Sequence, residues 1–206
     1  WSPLHYAARN NNLEMVTLLI ELGANLEHCD EYGRSPLSIA ALYNRQESLD
    51  ILIASGANIE HLDDYGMSAL DTAEDKFFHD TVLCLVRAGA SMSKRNADCG
   101  KTLIWATSAG KIEAVELLLN AGANVDYCNK SYWTPLMYAI RAGHIEIVKI
   151  LLDHGANLED FDEYGWSPLI FAAWYNQPQI LELLITHGAN LEHTEQHRRS
   201  ALLIAA

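Results

Sequence analysis

The chain has 206 residues, 50% of them hydrophobic, and a formal net charge of −13. That charge argues against nucleic acid and anionic membranes as partners, since both need clustered Lys and Arg, and no apolar run of about 18 residues is present to insert in a bilayer. The four cysteines, Cys29, Cys84, Cys99 and Cys128, show no CxxC spacing, which favours a reducing compartment and a cytoplasmic or otherwise intracellular location.

One interval governs the chain. Gly23, Gly56, Gly89, Gly122, Gly155 and Gly188 recur every 33 residues, as do Leu4, Leu37, Leu70, Leu103, Leu136, Leu169 and Leu202, and Ala7, Ala40, Ala73, Ala106, Ala139, Ala172 and Ala205. Three residue types in one register mean that a single supersecondary unit is repeated, each copy burying its apolar face against its neighbours. The period divides the chain into a partial unit 1–32, full units 33–65, 66–98, 99–131, 132–164 and 165–197, and a partial unit 198–206. Because both ends fall inside a unit and neither shows a polar capping repeat, the chain is expected to be a fragment of a longer protein.

In chain order, the first unit opens with Ser2-Pro3 and the second with Ser35-Pro36; each predicts a helix start, the hydroxyl capping free N–H groups and Pro fitting the first helical position. Asn11 and Asn44 then close short first helices, Asn tolerating the left-handed conformation. The third unit departs from this pattern: Ala69 stands for Pro, Glu74, Asp75 and Lys76 crowd the helix end, and Phe77-Phe78 replaces the small turn. In the fourth, Gly100 falls one place late, Thr102 stands for Pro, and the stretch 94–101 is basic. Cys84, on the apolar face of a second helix, reads as a small core residue. These departures predict a weak joint, with lower hydrogen-exchange protection around 72–102 than around 135–190. The fifth and sixth units return to Thr134-Pro135 and Ser167-Pro168, with first helices closed at Gly143 and Asn176; Gly110 closes the fourth. The second helix of the fifth unit carries Ile145, Val148, Leu151 and Leu152 at helical spacing, and Pro178 sits near the start of the sixth unit's second helix. Asp30, Asp63 and Asp162 are placed as turn-forming side chains between units.

The segments Thr134-Pro135-Leu136-Met137-Tyr138-Ala139 and Ser2-Pro3-Leu4-His5-Tyr6-Ala7 resemble the ankyrin signature Thr-Pro-Leu-His-x-Ala, and Gly143-His144-Ile145-Glu146-Ile147-Val148 through Gly155-Ala156-Asn157 resembles the rest of that motif. The resemblance covers the whole chain. It implies an all-α repeat protein, an ankyrin solenoid of helix-turn-helix units joined by hairpin-like fingers. It also implies a concave binding surface made by finger tips and the exposed face of the first helices. Carried column by column onto this chain, that surface holds Tyr32, Arg34, Tyr43, Tyr65, Trp133, Arg141, Glu163, Tyr164, Trp166, Trp174 and Tyr175. Trp133, Tyr164, Trp166, Trp174 and Tyr175 come from two neighbouring units; the alternative for any one ring is that it packs on a finger stem and only stabilises the stack.

Catalytic chemistry finds little support. Gly100-Lys101-Thr102 resembles the tail of a phosphate-binding loop, but Arg95 occupies the place of its first Gly and no buried strand precedes it. His28, His61 and His193 share a column about 10 Å apart from copy to copy, too far for zinc, and read as solvated surface residues. His193 and His197 share i,i+4 spacing but fall in a finger. Acidic pairs such as Asp63-Asp64 and Glu159-Asp160 recur with the repeat and belong to its turn. No nucleophile, base and orienting group come together, so neither an enzyme nor a cofactor is expected.

The functional expectation is a non-catalytic interaction module, an adaptor or scaffold binding a protein or peptide with apolar and basic anchors, most simply as a monomer. The alternatives are a targeting or regulatory arm of an enzyme whose catalytic domain lies outside this stretch, and a scaffold that makes its contacts through its ends.

Overall fold

The computed structural model describes residues 1–92, 99–196 and 199–205. Helices come in pairs at the interval read from the sequence. The first members are α1 (Pro3–Arg9), α3 (Pro36–Leu42), α5 (Ala69–Asp75), α7 (Gly100–Ser108), α9 (Pro135–Ala142), α11 (Pro168–Trp174) and α13 (Ala201–Ala205). The second members are α2 (Leu13–Glu21), α4 (Gln46–Ala54), α6 (His79–Arg87), α8 (Ile112–Asn120), α10 (Ile145–Asp153) and α12 (Pro178–Thr186). Among the described residues, the β-pairing is one isolated bridge between Thr194 and Ser200. The fold is an all-α repeat stack.

The contacts divide the chain into two compact units, Trp1–Thr102 and Leu103–Ala206. In the first, α1, α3 and α5 pack side by side, with α2, α4 and α6 forming the second layer; in the second, α9, α11 and α13 pack side by side, with α8, α10 and α12 behind. The Leu column is the centre of both cores: Leu4, Leu37, Leu70, Leu103, Leu136 and Leu169 are buried. The Ala column beside it (Ala7, Ala40, Ala73, Ala106, Ala139, Ala172) is buried too, and a larger side chain there would overpack the helix contact. Leu202 keeps the register yet is exposed.

Local chemistry explains the starts of α1, α3, α5, α9 and α11. Ser35, Thr134 and Ser167 accept from the backbone N–H of Ser38, Met137 and Ile170, with Pro next in line. Ser68, which lacks the Pro, compensates with a reciprocal box: its Oγ accepts from Asp71 N at 3.1 Å while Asp71 Oδ2 accepts from Ser68 N at 2.8 Å. At Ser2 the reciprocal partner is His5, whose Nδ1 accepts from Ser2 N at 3.1 Å. First helices close through Asn11, Asn44, Gly110, Gly143 and Asn176, all at positive φ. Phe77 takes the same left-handed conformation, φ 60°, at a cost of about 1–2 kcal/mol for an L side chain.

Between units the chain turns through a finger tip of fixed chemistry. Asp30, Asp63 and Asp162 accept through Oδ1 from the N–H groups two and four residues on, each at 2.9 Å. Asn129 does the same for Ser131 and Trp133. Asp64 N then donates to Tyr32 O at 3.0 Å, linking one finger to the next; a Cβ on Gly33 would collide with Asp64, so this position needs Gly.

Two expectations are corrected. His61 and His193 are not solvated surface residues: both are half-buried, and their Nε2–H groups donate to the carbonyls of Gly33 and Gly165 at 2.7 and 2.9 Å. At these two places the column ties one finger to the next, because an imidazole N–H reaches a carbonyl that the turn leaves without a partner; His28 is exposed. Cys84 is half-buried rather than core; its thiol donates to Asp50 Oδ1 at 2.9 Å, and burial together with that carboxylate pushes its pKa up to about 12. The joint expected around 72–102 carries an anchor of its own. Glu74, buried in α5, accepts from the N–H groups of Lys101 and Thr102 at 2.9 and 3.2 Å and from the Thr102 hydroxyl. It caps α7 from a neighbouring helix, replacing the missing Ser/Thr-Pro. The rest of the basic stretch, including Lys94 and Arg95, falls in 93–98, outside the described residues, as does His197.

Candidate protein-binding surface

In the unit Leu103–Ala206, an aromatic row is built from the finger tips and first helices. The Trp133 and Trp166 N–H groups donate to their turn-forming Asn129 and Asp162 at 3.0 and 2.9 Å, so both follow the same turn. Each packs on the ring five residues further along, in the first helix: Trp133 on Tyr138 at 5.2 Å and Trp166 on Phe171 at 5.5 Å. Trp133 also reaches across to Phe171 at 4.7 Å, Trp166 meets Trp174 at 5.1 Å, and Tyr175 stacks on Phe171 at 6.1 Å. The Arg141 guanidinium lies 5.6 Å over the Trp133 ring, a cation–π geometry.

Phe171 is buried and links the row. It is a residue that the sequence reading missed. The signal was present: Trp1–Tyr6, Trp133–Tyr138 and Trp166–Phe171 repeat one i,i+5 aromatic pairing. That pairing also shows that Trp133 and Trp166, both half-buried, do structural packing as well as forming surface. Trp174 is different. It is 54% exposed while it packs T-shaped against Trp166, so a large rigid side chain stands ready for contact.

Not every expected residue joins. Tyr164 and Glu163 are exposed, but among the described residues no ring contact connects Tyr164 to the row, and the Glu163 carbonyl accepts from Gln196 Nε2 instead.

The expected residues of the unit Trp1–Thr102 form separate small groups. Arg34 donates through Nε and Nη2 to Asp30 Oδ2 at 2.9 and 2.7 Å and lies 4.6 Å over the Tyr32 ring. Burial alone would raise the Asp30 pKa, but the hydrogen bonds from Arg34 and Tyr32 outweigh it and hold it at about 2. Tyr43 receives Arg9 at 4.9 Å over its ring. Tyr65 is 73% exposed.

Among the described residues, no group of three or more His, Cys, Asp or Glu side chains is placed to hold a metal ion, and no helix is long and apolar enough to cross a membrane.

The model of the ankyrin-repeat family, in three copies, matches residues 1–63, 67–162 and 103–195. The chain belongs to the ankyrin-repeat family. Its fold is the ankyrin solenoid, and the general role of such repeats is protein–protein interaction, typically without catalysis. Among solved structures, it is similar to the human ASB11 ankyrin repeat domain, with 28% identity and TM-score 0.62 over 100% of this chain and 92% of that one. It is similar to the ankyrin repeat domain of Bcl-3, a member of the IkappaB family, with 27% identity and TM-score 0.65 over 100% and 94%. An ankyrin repeat domain from Acinetobacter baumannii is similar at 30% identity and TM-score 0.67 over 91% and 98%. No curated protein matches the chain.

Proposed function

We propose that this ankyrin array is a non-catalytic adaptor or scaffold that binds a protein or peptide on the aromatic row of Trp133, Arg141, Trp166, Trp174 and Tyr175. The observation that carries this is Trp174: a Trp held against Trp166 yet more than half exposed. Such rings dominate interface hot spots because they bring large apolar area at little cost in rotamer entropy. The framework beneath is preformed, so ordering on binding consumes little of the interaction energy. Glu163 and Tyr164 flank the row as polar rim, and Tyr32, Arg34, Tyr43 and Tyr65 extend the same columns in the other unit. A partner segment with apolar anchors and basic flanks fits this chemistry, and the net charge of −13 would steer its approach. The repeat boundaries follow the 33-residue period.

The test is affinity capture with the wild-type array and with Trp174→Ala. A partner retained by the wild type and lost by the variant, with unchanged thermal unfolding, supports the row as the site. A partner held equally by both refutes it.

A further inference from the structure

A second feature stands apart from the aromatic row. Asp160 occupies the column of His61 and His193. In those copies an Nε2–H donates to the carbonyl 28 positions earlier, that of Gly33 or Gly165. The matching carbonyl for Asp160 belongs to Tyr132. An ionised carboxylate accepts only, so Asp160 cannot donate to that carbonyl as His61 and His193 do to theirs. The backbone link fails at the same junction. Asp64 N donates to Tyr32 O at 3.0 Å and Gln196 N to Tyr164 O at 3.4 Å, but the corresponding bond from Glu163 N to Ser131 O is not among the hydrogen bonds of the described residues.

A cavity of about 450 Å³ lies at this junction, lined by Asp126, Asn157, Asp160 and the rings of Tyr132 and Phe161 among others. Asp126 belongs to the framework: its Oδ1 accepts from Asn157 N at 2.9 Å, as Glu27 accepts from Asn58 N and Glu159 from Asn190 N in other copies. Asp160 is the addition. Its Oδ1 accepts from Asn157 Nδ2 at 2.6 Å, while Oδ2 has no hydrogen bond, and neither Asp126 nor Asp160 enters an ion pair among the described residues. Tyr132 and Phe161 are 60% and 58% exposed, and Phe161 stacks on His193 at 6.2 Å, which fixes its ring. Burial, and then the charge of Asp126, raise the Asp160 pKa against the opposing hydrogen bond from Asn157.

We infer that this cavity receives a cationic side chain, Arg or Lys, from a bound protein. An ammonium or guanidinium supplies the donors that the missing imidazole would have given to Tyr132 O, neutralises Asp160, and lies beside Tyr132 and Phe161, whose ring faces favour a cation. The ligand's being part of a protein rests on the interaction role proposed above; the site itself does not depend on the Trp row.

The experiment uses blocked amino acids as probes, followed through the backbone amide resonances of Tyr132, Phe161 and Asp160. N-acetylarginine amide and N-acetyl-lysine amide are titrated against N-acetylcitrulline amide, the neutral analogue. At least one cation should bind about tenfold or more tightly than citrulline, and the ratio of the two cations tells which side chain the site prefers. Asp160→His, which restores the residue of two other copies, and Asp160→Asn should both abolish the preference while the remaining spectrum stays native. Trp174→Ala should leave it intact, which separates this site from the row. Equal shifts from citrulline, no shift from either cation, or an unaltered cation preference in Asp160→His would overturn the assignment.

Discussion

Asp30 shows how one side chain can hold a finger. Its Oδ1 closes the turn onto the backbone while its Oδ2 takes the Arg34 fork, so the ionised form has four donors. Its pKa of about 2 lies below the ordinary 3.8. A depressed carboxylate pKa contributes stability that is fully present above the unfolded value and disappears as pH falls from about 4 through about 2. Asp30→Asn keeps the turn acceptor but loses the charge; it is expected to destabilise by about 1–2 kcal/mol at pH 7 and to flatten the acid limb of stability in that window, measured by urea unfolding at a series of pH values. A variant as acid-sensitive as the wild type would contradict this. His5 acts in the opposite range. Burial lowers its pKa below 6.5, in keeping with a neutral ring that accepts from Ser2 N and donates from Nε2 to Arg34 O at 3.0 Å. Its contribution is therefore present above pH 6.5 and lost as pH falls below it. Asp160 has the reverse sign to Asp30: its raised pKa means that ionisation weakens the fold. Asp160→His should therefore stabilise the protein at pH 7, by about 0.5–1.5 kcal/mol for the regained hydrogen bond, read as a higher unfolding midpoint. Functional sites often retain such local cost.

At the scale of the element, the decisive case is α7. Its start at Gly100 lacks the capping hydroxyl of α3, α5, α9 and α11, and Glu74 from α5 supplies the cap. Glu74→Ala leaves two N–H groups and the Thr102 hydroxyl without that acceptor in a buried place, and is predicted to destabilise by about 1–3 kcal/mol. Hydrogen exchange would report it as faster exchange at Lys101 and Thr102. Unchanged protection there would show that the cap is dispensable. Here the limits of sequence reading become physical. Ser35, Thr134 and Ser167 cap their own helices, so their role lies within a few residues of sequence and was legible. Asp30, Asp63 and Asp162 were legible as turn residues for the same reason. Glu74 acts on a helix one repeat away, and within its own segment it looked like charge crowding a helix end. The histidine ties and the Phe171 link cross from one copy to the next in the same way. Aligning the copies on the 33-residue register would have exposed both, as Asp160 against His61 and His193, and as the recurring aromatic pair.

For the whole molecule, the columns that stay constant specify the stack and those that vary specify the surface. Leu and Ala at fixed places let each unit bury its face against the next, so the repeat was readable from the period, and the signature segments such as Thr134–Ala139 carried the resemblance to the ankyrin fold. The binding surface is less readable, because one column can serve both ends. Trp133 and Trp166 are partly buried in the packing of their own helices, whereas Trp174 projects; burial separates them, and residue type does not. The direct test is the affinity of a captured partner for the wild-type array against Trp174→Ala and Trp166→Ala/Trp174→Ala. A partner segment docked on the row should bind the single variant at least about 30-fold more weakly, since a hot-spot Trp contributes about 2 kcal/mol or more, with the variant's unfolding midpoint close to that of the wild type. An unchanged Kd in a folded Trp174→Ala protein would contradict the placement of the interaction site on the aromatic row.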